Sequence, residues 1–375
     1  MNKFFTAAAA LLLLASCGQK KYYLLAGTYT NTGSEGIYVY DFDEKDGGSA
    51  LVSSAASSNP SFIVPSGDGQ FLYAVNEDAA DNGKGGGVSS FAFDKSSGKL
   101  TLINKCSSEG NHPCHLAIDA TGKWLTAGNY STGNMSIFPL AASGAIDSVK
   151  QVIQHHGASL DTVRQTGPHI HETVFSPDNR HLYVPDLGLD EVLIYRFYAK
   201  DGTIIPAWQP FAVSKPGSGP RHIVFHPNKQ FVYLIEELSG TVTVFQYKTE
   251  DGTLKPVQTI ATTAPDISSL AGCSELQFSP DGKYLYAGNR GQANSIAIYS
   301  VDGQSGKLNL VQIQPVLGKG PRFFCFDPSG KFLLVANQDS NEIVIFSHDA
   351  KTGLLTDTGK RISIKKPVCL QWIEK

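Results

Sequence analysis

The stretch Gly219-Pro220-Arg221-His222-Ile223-Val224-Phe225-His226-Pro227-Asn228-Lys229-Gln230-Phe231-Val232-Tyr233-Leu234-Ile235-Glu236-Glu237 reads as a strand, a tight turn and a second strand. Its apolar residues are β-branched or aromatic and are interrupted by one polar cluster at His226 to Gln230, which is a hairpin signature. The same template opens at Pro60, Pro113, Pro168, Cys273 and Pro321 and closes near Glu77, Tyr130, Leu187, Arg290 and Gln338. The intervening turns include Ser66-Gly67-Asp68-Gly69, Ser176-Pro177-Asp178-Asn179 and Ser279-Pro280-Asp281-Gly282. There Pro fixes one φ and Gly or Asn accepts a positive one. A third apolar run follows each copy, as in Thr241-Val242-Thr243-Val244-Phe245. A Gly turn and a fourth run follow in most, as at Asp251-Gly252-Thr253-Leu254.

Four strands per copy, repeating every roughly 45–55 residues, is the arithmetic of a propeller blade. Six copies are complete, and the seventh is split between the ends of the chain. Tyr22 to Tyr40 supplies outer strands with no inner strand before them, and Pro367 to Ile373 is an inner strand with nothing after it. The repeat therefore predicts an all-β fold, a seven-bladed β-propeller of four-stranded antiparallel blades, with the ring closed by pairing the N- and C-terminal segments in one blade. A length of 375 residues ordinarily suggests two or three domains, but a ring of blades is one. The domain reading is thus a leader at 1–17 and a single propeller at 18–375.

The leader has Lys3, an apolar run from Phe4 to Leu14, and the ending Leu14-Ala15-Ser16-Cys17. This is a signal peptide, too short to span a membrane by itself. Its end resembles a bacterial lipobox, which implies cleavage before Cys17, lipidation of that thiol, and an exported protein anchored to a membrane only through the lipid. The other five cysteines are scattered without metal or disulfide spacing and read as small buried hydrophobes. A net charge of −3 gives no footprint for nucleic acid or an anionic membrane surface.

In a hairpin the residue that opens the first strand and the one that closes the second lie at the same edge. The opening and closing columns of the repeat therefore meet at one rim around the central channel. Aligned by their turns, the copies place Ser61, Cys114, His171, Arg221, Ser274 and Arg322 in one column. Phe62, His115, Glu172, His222, Glu275 and Phe323 fill the next. At the closing end, Asn76, Asn129, Asp186, Glu236, Asn289 and Asn337 form a near-constant column, and Asn76, Asn129, Asp186, Asn289 and Asn337 read as turn-making structure. Glu77, Tyr130, Leu187, Glu237, Arg290 and Gln338 vary from blade to blade.

Charges that differ between blades cannot all serve one repeating contact. Burying them near a channel is costly unless they pair or meet a ligand. The bland alternative is a set of inter-blade salt bridges, such as Arg221 with Glu237. The insertion Ala141 to Gly167, carrying His155, His156, Asp161 and Arg164, is placed to fold toward the same rim, with its histidines read as exposed. Several guanidinium groups in one mouth favour an anionic ligand held bidentately, and a histidine and a glutamate beside them can move protons. No Gly-rich phosphate loop, nucleophile elbow or metal-ligating motif is present, so the reading takes no cofactor and no metal.

Six motifs in order resemble the lactonase family of seven-bladed propellers. They are Gly167-Pro168-His169-Ile170-His171, Pro185-Asp186-Leu187-Gly188-Leu189-Asp190, Gly219-Pro220-Arg221-His222, Glu236-Glu237-Leu238-Ser239, Ser274-Glu275 to Asn289-Arg290-Gly291, and Gly320-Pro321-Arg322-Phe323 with Val335 to Ser340. That family includes the propeller-type 6-phosphogluconolactonase and the fungal carboxy-muconate cyclase. The resemblance runs over about residues 22–373. It implies metal-independent opening of a small anionic lactone, or ring closure in the cyclase branch. It also implies catalytic roles for His171, Arg221, Glu237 and Arg290, with His169 as the alternative histidine. His169, His222, Glu275, Arg322, His115 and Gln338 are the substrate-binding candidates. Either His171 or Glu237 is expected to be the general base. Replacing Arg221 or Glu237 by Ala is expected to cut turnover by orders of magnitude without unfolding a protein that reads as a monomer. An exported chain sits poorly with a cytosolic sugar phosphate, so the substrate stays open. A non-enzymatic glycan- or protein-binding propeller would call for stacking aromatics on the rim, where this chain has charge; its three tryptophans are Trp124, Trp208 and Trp372.

Overall fold

A computed structural model of the protein describes residues 20–264, 267 and 272–375. The leader and its Cys17 lie outside these residues. The described chain forms seven four-stranded antiparallel sheets. Their inner strands are Ile63–Pro65, Pro113–Ile118, Val174–Phe175, Pro220–Phe225, Cys273–Phe278, Pro321–Phe326 and Pro367–Glu374. The split blade forms as the repeat predicts. Pro367–Glu374 pairs with Tyr22–Thr28, which continues into Gly36–Asp43 and Gly48–Ala56. The register runs Tyr22 opposite Glu374 to Gly27 opposite Cys369.

Apolar residues of the strands fill the spaces between blades. Tyrosines on the second strands carry polar ties across these seams. The buried Tyr183, Tyr233 and Tyr286 donate to the carbonyls of Gly252 (2.5 Å), Gly306 (2.7 Å) and Gly353 (2.7 Å), each in the outer turn of the next blade. All five cysteines of the described chain are free, and only Cys106 is not fully buried.

Six of the seven blades enter the channel through the same device. The residue before the opening position has a left-handed backbone: Asn59, His112, Gly219, Gly272, Gly320 and Lys366 have φ between 39° and 68°. Its carbonyl accepts the N–H of the closing column, as in Glu237 to Gly219 (2.7 Å), Gln338 to Gly320 (2.9 Å) and Tyr29 to Lys366 (3.1 Å). The register then slips. Pro220 faces Glu236 but His222 faces Ile235, so Arg221 stands unpaired in a bulge. The same slip leaves Cys114, Ser274–Glu275 and Arg322 unpaired in their blades. A bulge re-aims a side chain, and here it turns this column into the channel.

The near-constant column is structural, as read. Asn76, Asn129 and Asn289 each donate Nδ2 to a carbonyl at the end of the preceding outer strand or its link, namely Ser58 (2.8 Å), Ser108 (2.9 Å) and Thr262 (3.1 Å). Asn289 also accepts from the Thr262 hydroxyl at 2.7 Å. Asn289→Ala strands these buried partners. The expected cost is about 1–3 kcal/mol, read as a lower denaturation midpoint with an unchanged m-value. An unchanged midpoint would show that the clip is not holding the blades together.

Candidate active site

At the mouth of the channel one carboxylate gathers the charges. Glu237 follows the second strand of its blade and is buried. Its Oε2 meets Arg221 Nε at 3.1 Å, Arg290 Nη2 at 2.8 Å and His171 Nε2 at 3.9 Å. Its Oε1 meets Arg164 Nη2 at 2.8 Å. The structure thus brings together the four residues singled out as catalytic. The Arg221–Glu237 pair joins two strands of one blade, not two blades. Burial alone would push the Glu237 carboxyl up. Arg290, Arg221, His171 and Arg164 more than offset that and hold it well below the usual carboxylate range.

Arg221 is only 2% exposed. It donates Nη1 to the Ser274 carbonyl and to His222 Nε2. Burial, with Arg290 and Arg322 nearby, brings its guanidinium down to about 10. Arg290 donates Nε to Gly272 O (2.8 Å) and Nη2 to Cys273 O (3.1 Å). Arg322 has no carboxylate within ion-pair distance among the described residues, and its guanidinium lies 5.4 Å from the centre of the Tyr29 ring. Tyr29 in turn donates to both oxygens of Glu77 at 2.9–3.0 Å, and Ser61 donates to the same carboxylate.

His171 occupies the Arg221 column. The Ile170–Asp186 bridge matches Pro220–Glu236, which fixes the register of the Pro-His-Ile-His segment. His169 falls outside the channel ring. It stacks on Tyr130 at 4.5 Å and bonds the Tyr130 carbonyl and Asp186. His171 is buried, with its ring edge-on to Tyr130 and His222. Burial and then Arg221 push its imidazole well below its ordinary range, so it is neutral at pH 7. Ser61, Phe62, Cys114, His171, Arg221, His222, Arg322, Phe323 and Val368 line a cavity of about 10 Å³. That is room for about one water.

Beside the cavity lies a second buried layer. His222 Nδ1 meets Glu275 Oε2 at 3.2 Å, and His115 Nε2 meets Glu172 Oε1 at 3.6 Å. Thr173 N donates to His115 Nδ1. Phe62 packs on His115 at 4.0 Å. Burial, partly offset by Arg221, raises the Glu275 carboxyl to about 8, and burial with Arg221 lowers His115 to about 3. These are neutral, buried groups packed against the mouth. Gln338 sits in the predicted column, but its amide turns to Asp339 at 3.4 Å.

Three features were not in the sequence expectation. The insertion folds toward the rim as expected, but Arg164 was not singled out and it reaches Glu237 itself. Tyr29 and Val368 supply the seventh blade's members of the two columns, which aligning the two chain ends on Lys366-Pro367 would have shown. His155, expected to be exposed, is buried between Asp186 (2.7 Å) and the Tyr195 hydroxyl (2.9 Å) and ties the insertion down.

Comparison with known proteins fits this geometry. The family model described as Lactonase, 7-bladed beta-propeller matches residues 23–372. This chain belongs to the seven-bladed propeller lactonase family. The Bacillus subtilis 6-phosphogluconolactonase is 33% identical over 357 residues, covering 95% of this chain and 99% of that protein. The 6-phosphogluconolactonase of Formosa agariphila is 37% identical over 339 residues, covering 90% and 95%. The solved structure of the Pseudomonas aeruginosa periplasmic gluconolactonase PpgL superposes with a TM-score of 0.90 at 37% identity, covering 94% of this chain and 99% of that one.

The family placement does not alter what the second layer must cost. A carboxyl raised to about 8 in the fold and ordinary when unfolded binds more protons folded than unfolded. Its contribution is therefore lost as pH rises from the ordinary carboxylate range through 8. Glu275→Gln should flatten the fall in melting temperature between pH 6 and 9. Parallel pH curves for the two proteins would refute this.

Proposed function

We propose that this protein is a hydrolase that opens a small sugar-acid lactone. The observation that carries the reading is a neutral imidazole, His171, facing a one-water cavity beside the guanidinium groups of Arg221 and Arg322. His171 takes a proton from water as the oxygen adds to the lactone carbonyl. Arg221, through its Nη2, and Arg322 stabilise the oxyanion in a site that excludes bulk water. Collapse breaks the ring C–O bond, and the imidazolium returns the proton to the leaving alkoxide, giving the open hydroxy acid. Glu237 is the weaker candidate for base, because the guanidinium groups around it lower its basicity and so its pull on a proton. Its role is to fix Arg221 and Arg290 and to stabilise the imidazolium 3.9 Å away. His222 meets Arg221 Nη1 and is itself held by Glu275, while Phe62, packed on His115, lines the cavity. No step needs a metal.

Removing the Glu237 carboxylate would leave buried guanidinium groups uncompensated, at a cost on the order of 3–5 kcal/mol. Glu237→Ala is therefore a folding variant as much as a catalytic one, contrary to the sequence expectation. The clean test is His171→Asn, which should lower kcat on gluconolactone by about 10²–10⁴ with the melting temperature retained. Because the reaction needs the neutral ring, kcat/KM should hold as pH falls and drop only below the ordinary histidine value of 6.5. Turnover should survive chelator. An acid limb at or above that value, or wild-type turnover in the variant, would remove His171 from the role.

The leader, together with a neighbour named as periplasmic, supports export of this chain. We read Cys17 as the lipidated anchor of a monomer. Cys17→Ser should move the protein from the detergent-extracted membrane fraction to the soluble one; retention in the membrane would count against the anchor.

A further inference from the structure

The cavity beside His171 has room for about one water, and a water needs acceptors for two protons. Most polar groups on its wall are already spent or can only donate. Arg221 and Arg322 are donors alone. His222 accepts from Arg221 Nη1 at Nε2 (3.3 Å) and gives Nδ1 to Glu275 (3.2 Å). Cys114 turns its thiol to the carbonyls of Ile170 and His171, both at 3.5 Å. Glu237 lies off His171 Nε2 (3.9 Å) and favours the ring proton there, which leaves Nδ1, on the Cys114 side, as one acceptor. The other is Ser61.

Ser61 is buried and stands in the same column as Arg221 and His171. Its hydroxyl donates to Glu77 Oε2, and among the described residues its side chain has no other hydrogen-bond partner. The one serine proton is therefore committed, and only lone pair remains to offer the cavity. Glu77 closes the same hairpin that Ser61 opens, as Glu237 does for Arg221. The Tyr29 hydroxyl, from the split blade, reaches both Glu77 oxygens at 3.0 and 2.9 Å. Glu77 pairs with no cation among the described residues, so this carboxylate serves hydroxyl groups alone. Ser274, in the same column, shows that packing asks for less: it donates to the Pro321 carbonyl (2.6 Å) and does not line the cavity. A hydroxyl that donates to a carboxylate is in turn a stronger acceptor.

We propose that Ser61 is a further catalytic residue, the second acceptor of the attacking water, and that Glu77 and Tyr29 position its oxygen. The assignment rests on the lactone-hydrolase reading and completes its water site. One water proton points at His171 and the other at Ser61. The lone pairs of the water are thereby turned away from both, towards the carbonyl carbon whose oxygen Arg221 and Arg322 meet. As the new C–O bond forms, His171 takes the first proton. The second stays on the hydroxyl of the tetrahedral adduct, bonded to Ser61, and Ser61 keeps its own proton on the bond to Glu77. The serine is neither nucleophile nor base.

Crystallography of the intact protein and steady-state kinetics on gluconolactone test this separately. The wild type should show one water within about 3 Å of both Ser61 Oγ and a His171 ring nitrogen. Ser61→Ala should lose or displace that water. It should also lower kcat by about ten- to hundred-fold, with KM within about two-fold and the melting temperature retained. Glu77→Gln, which still accepts the serine proton but less strongly, should lose less. Adding Glu77→Gln to Ser61→Ala should cost nothing further in kcat, because Glu77 acts through the serine. A merely structural pair would lower the melting temperature and leave the kcat of the folded protein unchanged, and that result would overturn the proposal. So would an empty cavity, an additive double variant, or a gluconyl ester on Ser61 trapped by mass spectrometry. A water ordered between Ser61 and His171 in a wild type that opens no lactone would support the water site and sink the hydrolase reading alone.

Discussion

Everything at the channel mouth depends on the Glu237 carboxylate. Three guanidinium groups approach it, from its own blade, from the neighbouring blade and from the insertion. Arg221, only 2% exposed, is not tolerable there without it, and the buried carboxylate is not tolerable without its cations. The cluster is therefore an electrostatic knot that sets the positions of Arg221 and Arg290 before any ligand arrives. The preorganisation that stabilises a developing oxyanion requires this, because groups already fixed need not reorganise during reaction.

The fold supplies the knot through backbone geometry. A left-handed residue at the entry, a bulge two residues later and an Asn clip on the returning strand recur in most blades. These devices are indifferent to the side chain that stands in the bulge. That residue is Arg in two blades, Cys, Ser or His in others, and Val368 in the split blade. One scaffold thus holds a ring of positions whose chemistry can be chosen one at a time, while the clips stay constant.

Much of this was legible in the chain. The hairpin template marked the blades, the split repeat marked the closure, and the two aligned columns contained His171, Arg221, Glu237 and Arg290. What the sequence hid has specific physical causes. Arg164 lies in an insertion that was expected at the rim but stands outside the repeat, so no column could contain it; Asp161, which accepts the N–H groups of Val163 and Arg164, and the buried His155 hold it there. Tyr29 was missed because its blade is divided between the chain ends. The weakness of Glu237 as a base follows from three distances, and a residue type carries no distances. His155 read as an exposed loop residue because its partners, Asp186 and Tyr195, belong to the next blade.

The closure of the ring has a temporal meaning. Tyr29 and Val368 contribute to the mouth from opposite ends of the chain, through strands paired across nearly the whole sequence. A chain made from its N-terminus exposes the Tyr22–Thr28 edge until the last strand has emerged. Contacts this distant are slow to form, since loop-closure entropy must be met before they stabilise anything. The final docking event completes the fold and the reaction chamber together, so a partly made or partly unfolded ring has no assembled mouth in which to work on a substrate.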